Sequence, residues 1–393
     1  MIILWPLSGL SMFNSFHING VRAFDAKHYQ IAKDFFLQAI DINPEVAESH
    51  LYLGKCFFFC DEKQQAIPSI KKFIELRQSH SDDVANVSYA FDLLGQCYEA
   101  ENKDTAALTC YETATKIYPS GASAWNNMGL LYIKSARHLL ETDLANSAKL
   151  FKGALAFITK ALEIASDNPV FLHSAASWYE QYIEVLERVV EDNDAVQKNK
   201  AGNFSYALIY YRKALAVCSE NDVVLRNIIL SNLTDCLAQY GHHFYKNKEY
   251  KKAQETYMEA LQLDPEHLIV INQIGMSLFK QDCFPESRKY FSSILDKTDD
   301  KQEIADAWLN IACTYRLEKK WSDAEEALSQ AKKFAPEDSS IAEEEMTLNQ
   351  SKLNALLLSA PQTLFGSSNP DSPGAVNKKA QESGSDLSVT RMF

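Results

Sequence analysis

Histidine and cysteine are the first candidates for metal or nucleophilic chemistry in this sequence, and their spacing favours neither. His242 and His243 are the only adjacent histidines, and adjacent residues on a helix point about 100° apart, which is poor geometry for chelating one metal ion. No Cys-x-x-Cys occurs among the eight cysteines, and the nearest pair, Cys56 and Cys60, lies one helical turn apart. We therefore expect scattered, reduced core cysteines, which are typical of a cytoplasmic protein.

Sequence motifs of known enzyme classes are absent as well. The chain has no G-x-S-x-G, P-loop, H-E-x-x-H, G-x-G-x-x-G or EF-hand loop. A net charge of −13 argues against a nucleic-acid surface, which usually carries a basic stripe. No window reaches the ~18 consecutive apolar residues of a membrane span. These observations predict a protein that is not an enzyme, holds no cofactor or metal, and binds no nucleic acid.

Small and large side chains recur at helical spacing in residues 88–121. The window holds two short apolar stripes separated by a polar turn, and Pro119 ends the second. Two helices of about a dozen residues cannot bury such stripes alone, so the unit requires similar neighbours. The stripes consist of Phe91, Leu94, Gly95, Tyr98, Ala107, Tyr111 and Ala114.

The same pattern returns in eight units and resembles the tetratricopeptide repeat family, whose signature is W-x2-L-G-x2-Y, then A-x3-F, then P. The resemblance covers residues 13–338 and implies an all-α fold, a right-handed α-solenoid of about eight helix pairs. Units 1–3 occupy residues 13–121, units 4–5 residues 122–233 and units 6–8 residues 234–338. The seventh unit departs from the signature by placing Ser287 where alanine is usual.

Two insertions, at residues 136–148 and 187–204, lengthen the fourth and fifth units. We expect the first helix of each of these units to continue for extra turns and to project beyond the solenoid wall. Residues 222–246 predict one long helix that enters the sixth unit. This irregular middle is either a bend in the superhelix or a ridge on which a partner docks.

Both ends of the chain differ from the repeats. Residues 1–12 are an apolar extension that is a signal, a cap on the first helices, or absent if translation starts at Met12. Residues 339–358 predict an amphipathic helix that caps the last unit, with residues 343–345 acidic at the positive end of its dipole. Residues 359–393 are rich in Ser, Pro and Gly and predict a disordered tail.

The family resemblance also implies where a partner binds. In such proteins the first helix of each repeat lines a concave groove, through its second, fifth, sixth, ninth, twelfth and thirteenth positions. In the first two units these positions give an apolar groove with one cation, formed by His17, Val21, Phe24, Leu51, Lys55, Phe58 and Phe59. The sixth positions of later units and their neighbours give a row rich in amides: Asn126, Asn127, Ser174, Gln239, Asn272, Gln273 and Asn310.

Each of these surfaces has a functional and a plain structural interpretation. Side-chain amides carry a donor and an acceptor, so the row could hold an extended peptide backbone, or it is simply a solvated helix face. Residues 57–59 are three phenylalanines that span about 200° of a helix, so one ring must leave the core-facing stripe. An exposed Phe58 or Phe59 would mark a docking site, unless the N-terminal segment or a neighbouring helix covers it.

The carboxylate clamp of the chaperone-binding members of this family is missing. Its lysine and asparagine at the fifth and ninth positions are replaced in the first two units by His17, Val21, Leu51 and Lys55. We therefore predict a scaffold that recruits another protein or peptide through its groove. The alternative is a regulatory or targeting subunit that docks a partner on the projecting helices. Self-association is a further prediction for the ends and the convex face.

Overall fold

The computed structural model describes residues 7–77, 83–189 and 194–359, and the side chains within 12–77, 83–188 and 195–358. These ranges contain seventeen α-helices and no strand, which confirms the all-α prediction. The chain divides into two compact units, one up to Asn232 and one from Leu233 onward. Helix α1 already begins at Leu7, so the predicted extension at residues 1–12 overlaps the first helix. Residues 1–6, and residues 360–393 of the predicted tail, lie outside the described residues, and Ser359, the first residue of that tail, ends the last helix.

Helices of the first unit form consecutive antiparallel pairs, and each pair also packs on the next. This succession along one direction is what an α-solenoid requires. The pairs are α1 (Leu7–Asp25) with α2 (Tyr29–Ile42), α3 (Ala47–Phe59) with α4 (Lys63–Arg77), α5 (Val84–Ala100) with α6 (Asp104–Ile117), α7 (Ala122–Leu139) with α8 (Leu144–Ile164), and α9 (Pro169–Val189) with α10 (Asp194–Val217).

The second unit repeats this architecture and ends in a single helix. Helix α11 (Val223–Lys246) begins in the first unit and ends in the second, over the range predicted for one long helix. It is followed by α12 (Tyr250–Leu263), α13 (Leu268–Phe279), α14 (Phe284–Ile294), α15 (Lys301–Leu317), α16 (Trp321–Phe334) and α17 (Ser339–Ser359). The helix pairs confirm a repeat solenoid within each unit, and the right-handedness of its winding stays a prediction.

In six of the eight pairs a glycine on the first helix lies against a large residue on the second. A Cβ atom added to Gly95 would lie 2.5 Å from Cε1 of Tyr111, so only glycine allows the two helices this approach. The distances for Gly275 against Phe291 and for Gly241 against Tyr257 are 2.5 and 2.6 Å. In the eighth pair Ala312 and Leu328 stand at the corresponding positions, and both belong to one buried cluster.

Six turns inside pairs share one backbone conformation. Each contains a residue other than glycine in the left-handed region, with φ between 57° and 62°: Lys27, Asp61, Asn102, Lys248, Asp282 and Lys319. The N–H that follows this residue bonds to a carbonyl five residues back, as Lys103 N does to Tyr98 O at 2.9 Å. This is a Schellman motif, in which glycine is the usual occupant of the left-handed position.

The insertions lengthen both helices of their pairs, so the expectation that only the first helix would extend is wrong. Helices α7 and α8 have 18 and 21 residues, and α9 and α10 have 21 and 24, against 13 and 15 in α3 and α4. A first helix that extended alone would leave its added apolar stripe without a partner. Here the added turns face each other, since Ile133, Ala136 and Leu140 share a buried cluster with Phe151.

Ser287 in the seventh repeat fits the interior because its hydroxyl is satisfied. Its Oγ donates to the carbonyl oxygen of Gly275 at 2.8 Å, across the pair. Ser147 makes the same 2.8 Å bond to Ala136 O in the fourth repeat. A buried hydroxyl with a partner costs far less than an unsatisfied one, so serine replaces alanine here without loss of the packing.

Helix α17 covers the end of the last pair, as the amphipathic pattern of residues 339–358 predicts. Ile341 and Leu348 are buried against α15 and α16. Glu344 is only 1% exposed, and its Oε1 accepts a bond of 2.5 Å from Nε of Arg316 on α15. This carboxylate therefore anchors the helix through a buried ion pair, in addition to any interaction with the helix dipole.

Candidate functional site

Four aromatic rings of the first two repeats form a continuous surface. The rings of Tyr29 and Phe59 stack at a centroid distance of 4.8 Å, and Phe24 lies 5.9 Å from Phe59 and 5.4 Å from Tyr52. Phe24 is on α1, Tyr29 begins α2, and the other two are on α3. We call the surface made by these four rings, together with Lys55 and Tyr89, the aromatic strip.

Lys55 extends the aromatic strip to the third repeat. Its Nζ lies 5.1 Å from the ring centroid of Tyr52 and 4.6 Å from that of Tyr89, which is on α5. Both distances are within the range of a cation–π interaction. Burial lowers the pKa of the Lys55 ammonium. The strip therefore contains a partly desolvated cation held between two tyrosine rings.

Phe59 is the most exposed ring of the strip. It is 47% exposed although Phe24 and Tyr29 pack against it, and Tyr89 is 36% exposed. Phe58 is half-buried, edge-on to Phe59 at 5.6 Å. Phe57 is also half-buried and packs on the cores of two neighbouring repeats. One of the three consecutive phenylalanines thus leaves the core-facing stripe, as the sequence requires, and it is Phe59.

Three other residues predicted for this groove are used inside the fold. Leu51 is 5% exposed and belongs to the core between the second and third repeats, so the prediction that it contacts a ligand is wrong. Nδ1 of His17 lies 2.9 Å from Oγ of Ser49, and burial lowers the pKa of His17, which favours the neutral ring. Val21 is half-buried in the core cluster between the first two repeats.

In the first unit the predicted amide row is occupied by an internal network around Asp92. This carboxylate on α5 is buried and accepts hydrogen bonds from Ser123 Oγ and Asn127 Nδ2, both at 2.8 Å, and from Gln96 Nε2 at 3.4 Å. Burial raises the pKa of Asp92, and these hydrogen bonds partly oppose the rise. Asn127 is therefore committed to its own chain, and Asn126 is only 2% exposed.

The amides of the second unit show the same tendency. Asn272 and Gln273 are buried on α13, and Asn272 Oδ1 accepts a bond of 3.1 Å from Nδ2 of Asn310 on α15. Gln239 on α11 is exposed. Ser174, in the first unit, is buried and donates to Val170 O at 3.0 Å. Burial thus removes Asn126, Ser174, Asn272 and Gln273 from the residues that a ligand could contact.

The His, Cys, Asp and Glu side chains of the described part of the chain do not gather into a metal-binding cluster. No group of three or more His, Cys, Asp or Glu side chains there could hold a metal ion. All eight cysteines are free thiols, and only Cys60 and Cys283 are partly exposed. None of the described helices combines the length and apolar character needed to cross a membrane.

The sequence model of the tetratricopeptide repeat matches residues 89–120 and 234–267. The first window contains most of α5 and all of α6, and the second contains the later part of α11 and all of α12. Both windows thus coincide with helix pairs that carry the glycine-to-ring contact, Gly95 with Tyr111 and Gly241 with Tyr257.

Curated relatives match only a part of their own length. The human RANBP2-like and GRIP domain-containing protein 8 is 21% identical over 241 residues, which cover 54% of this chain and 13% of that protein. Anaphase-promoting complex subunit 3 of Schizosaccharomyces pombe is 26% identical over 101 residues, 26% of this chain and 14% of that protein. RNA polymerase-associated protein CTR9 of Caenorhabditis elegans is 32% identical over 96 residues, 24% of this chain and 8% of that protein.

Two solved tetratricopeptide-repeat structures align with somewhat more than half of the chain. TTC0263 of Thermus thermophilus has 20% identity and a TM-score of 0.40, covering 56% of this chain and 98% of that one. YrrB, described as a TPR protein with an unusual peptide-binding site, has 21% identity and a TM-score of 0.36, covering 60% and 97%. The two windows matched by the family model fall on helix pairs that show the small-to-large packing, so these two pairs are similar to tetratricopeptide repeats.

Proposed function

We propose that this protein is a non-catalytic adaptor that binds a protein or peptide segment on the aromatic strip of its first three repeats. Proteins built from these repeats serve as interaction scaffolds. The observation that carries the proposal is the exposure of Phe59 within a continuous set of rings. Burying an aromatic side chain contributes roughly 1.5–3 kcal/mol, so an exposed ring next to others favours a partner that covers it.

A second candidate surface lies on the lengthened helices of the fifth repeat. Tyr206 and Ile209 on α10 are both more than half exposed, and the ring of Tyr206 stacks on Tyr179 of α9 at 5.1 Å. This pair of exposed apolar side chains supports the alternative in which a partner docks on the projecting helices. The aromatic strip is favoured because it joins three repeats and includes a cation.

The partner is proposed to be a protein, and the compartment the cytoplasm. The net charge of −13 disfavours nucleic acid, and the eight free thiols suit a reducing compartment. Self-association stays a prediction, for which the exposed Leu353, Leu356 and Leu358 at the end of α17 are the candidate contacts.

Two point substitutions separate the surfaces. The native protein, Phe59→Ala and Tyr206→Ala would each be used to purify partners from the native cell, with recovery measured by quantitative mass spectrometry. Under the proposal, Phe59→Ala weakens partner binding about 10- to 100-fold and Tyr206→Ala leaves it unchanged. The reverse pattern would assign binding to the lengthened helices. Deleting residues 136–148 is a poorer test, since Ala136, Leu140 and Ser147 are buried.

A further inference from the structure

Lys55 differs from other partly buried lysines in the way its charge is compensated. Lys33 pairs with Glu62 at 2.8 Å, Lys134 with Asp104 at 2.7 Å, and Lys200 with Glu187 at 3.5 Å. Among the described residues, no carboxylate lies within ion-pair distance of Lys55, and its Nζ instead faces the rings of Tyr52 and Tyr89. A desolvated ammonium without a counter-charge is a place where an anion gains more than it would in water.

The charged and titratable groups nearest in the fold do not supply that counter-charge. Asp92, on the same helix as Tyr89, accepts hydrogen bonds from Ser123, Asn127 and Gln96 and is buried among them. His17, on the α1 side of the strip, adds no second cation at neutral pH, because burial disfavours its charged form. Lys63, whose Nζ lies 5.7 Å from the ring of Phe58 beside the strip, is paired with Asp61 at 3.1 Å. Lys55 is therefore the one cation of the strip without a carboxylate partner among the described residues.

From this arrangement we propose that the aromatic strip recognises a peptide segment in which one side-chain carboxylate, bound by Lys55, is flanked by apolar or aromatic residues. The inference rests on the proposed function and names the class of its ligand. A single ammonium matches the single charge of Asp or Glu, whereas a phosphate group carries ≈ −1.5 to −2 at pH 7 and would remain partly uncompensated.

For a ligand that lies along α3, helix geometry also gives the expected spacing between its residues. Phe59 follows Lys55 by four residues on α3, so the two side chains are about 6 Å apart along the helix axis. In an extended peptide, residues two apart point to the same side and are separated by about 6.6 Å. The ligand is therefore expected to place an apolar residue two positions from its acidic residue, with the apolar side chain on Phe59.

A random peptide library displayed on phage and selected on the immobilised full chain tests this directly. Selected sequences should be enriched in Asp or Glu with an apolar residue two positions away. A synthetic selected peptide should then bind about tenfold or more weakly to Lys55→Met than to the native protein, by fluorescence anisotropy, and should bind Lys55→Arg nearly normally. Replacing its acidic residue by the amide should weaken native binding but have little further effect on Lys55→Met.

Lys71→Met is the matched control, because Lys71 Nζ also lies over a tyrosine ring, Tyr98, at 5.5 Å, but outside the strip. It should leave peptide binding unchanged, and circular dichroism would establish that each variant is folded.

Selected peptides without an acidic residue that bind Lys55→Met normally and lose binding to Phe59→Ala would overturn the carboxylate assignment while supporting the proposed function. A phosphoserine peptide that binds tenfold tighter than its glutamate counterpart would also overturn it. Peptides insensitive to both Lys55→Met and Phe59→Ala would overturn the inference and the proposed site together.

Discussion

Tyr111 Oη donates a hydrogen bond of 2.5 Å to Glu99 Oε2, which joins the two helices of the third repeat. Tyr257 occupies the same position in the sixth repeat and is equally buried, but its Oη has no hydrogen-bond partner among the described residues. Both rings face a glycine of the first helix. Packing of the ring is thus the common requirement, and the hydroxyl stabilises only one of the two repeats.

This contrast predicts opposite effects for the same substitution. Tyr111→Phe should lower the free energy of unfolding by about 1–3 kcal/mol, because it leaves the half-buried Glu99 carboxylate without its donor. Tyr257→Phe should be neutral or stabilising, because it removes an unsatisfied hydroxyl. Urea unfolding followed by circular dichroism measures both. Equal losses in the two variants would contradict the assignment of these hydroxyls.

The close contact between Gly95 and the Tyr111 ring predicts that alanine has different effects on stability at different glycines. Gly95→Ala should destabilise the third repeat by about 1–3 kcal/mol, since the new methyl group would overlap the Tyr111 ring. Gly202→Ala is the control, because nothing lies within 4 Å of a Cβ at this position in α10, and it should stabilise by about 0.5–1 kcal/mol. Thermal melting of both variants would show the difference in sign, and a stabilised Gly95→Ala would refute the packing argument.

Because six turns hold a residue other than glycine in the left-handed region, we expect glycine to stabilise the protein at these positions. Inside a helix glycine normally destabilises. Lys248 has φ of 62°, so Lys248→Gly should raise the free energy of unfolding by about 0.5–1 kcal/mol. Glu255→Gly, on an exposed position inside the following helix, should lower it by about 1 kcal/mol. The comparison is made by denaturant titration, where a loss at both positions would mean that the turn is not strained.

We expect Asp92 to make the free energy of unfolding depend on pH, and comparison with Asp92→Asn isolates its contribution. Its folded-state pKa is raised above the usual value of 3.8 by burial, so the native state favours the protonated carboxyl. The stabilising contribution of this group is therefore fully present below pH 3.8 and is lost as the pH rises through the folded-state pKa.

Urea unfolding of the native protein and of Asp92→Asn, measured between about pH 3.5 and 7, tests this sign. Other carboxyls titrate in both proteins, so the difference in unfolding free energy reports on Asp92. The native protein should lose stability relative to Asp92→Asn as the pH rises. A difference that stays constant, or that changes in the opposite direction, would show that the hydrogen bonds from Ser123 and Asn127 outweigh burial.

Repeat packing could be predicted from sequence because it depends on residue size at fixed spacing. Gly95, Tyr111 and their equivalents return with the period of the repeat, and the structure places them in contact. The structure of the insertions was harder to predict, because the apolar pattern of residues 136–148 fits a continuation of either helix. Mutual burial of Leu140 and Phe151 decides that both helices extend.

The candidate site could be predicted only in part, because position within a repeat does not fix exposure. Leu51 and Asn126 both occupy the fifth position of their first helix, and both are buried. Phe59 remains 47% exposed although aromatic rings pack against it, and Lys55 lies over the ring of Tyr89. Neither arrangement could be read from position within the repeat. Asp92 is not part of the predicted row, because its network depends on Ser123 and Asn127 of the next repeat.

The distribution of thiols has a practical consequence for measuring the two units. Cys60 in the first unit and Cys283 in the second are partly exposed, whereas the other six cysteines are buried. Burial raises the pKa of Cys56 and Cys97 to about 12, which disfavours the thiolate that reacts with maleimides. The unaltered protein thus offers one reactive attachment point in each unit, so a fluorophore on Cys60 would report on the first unit and one on Cys283 on the second.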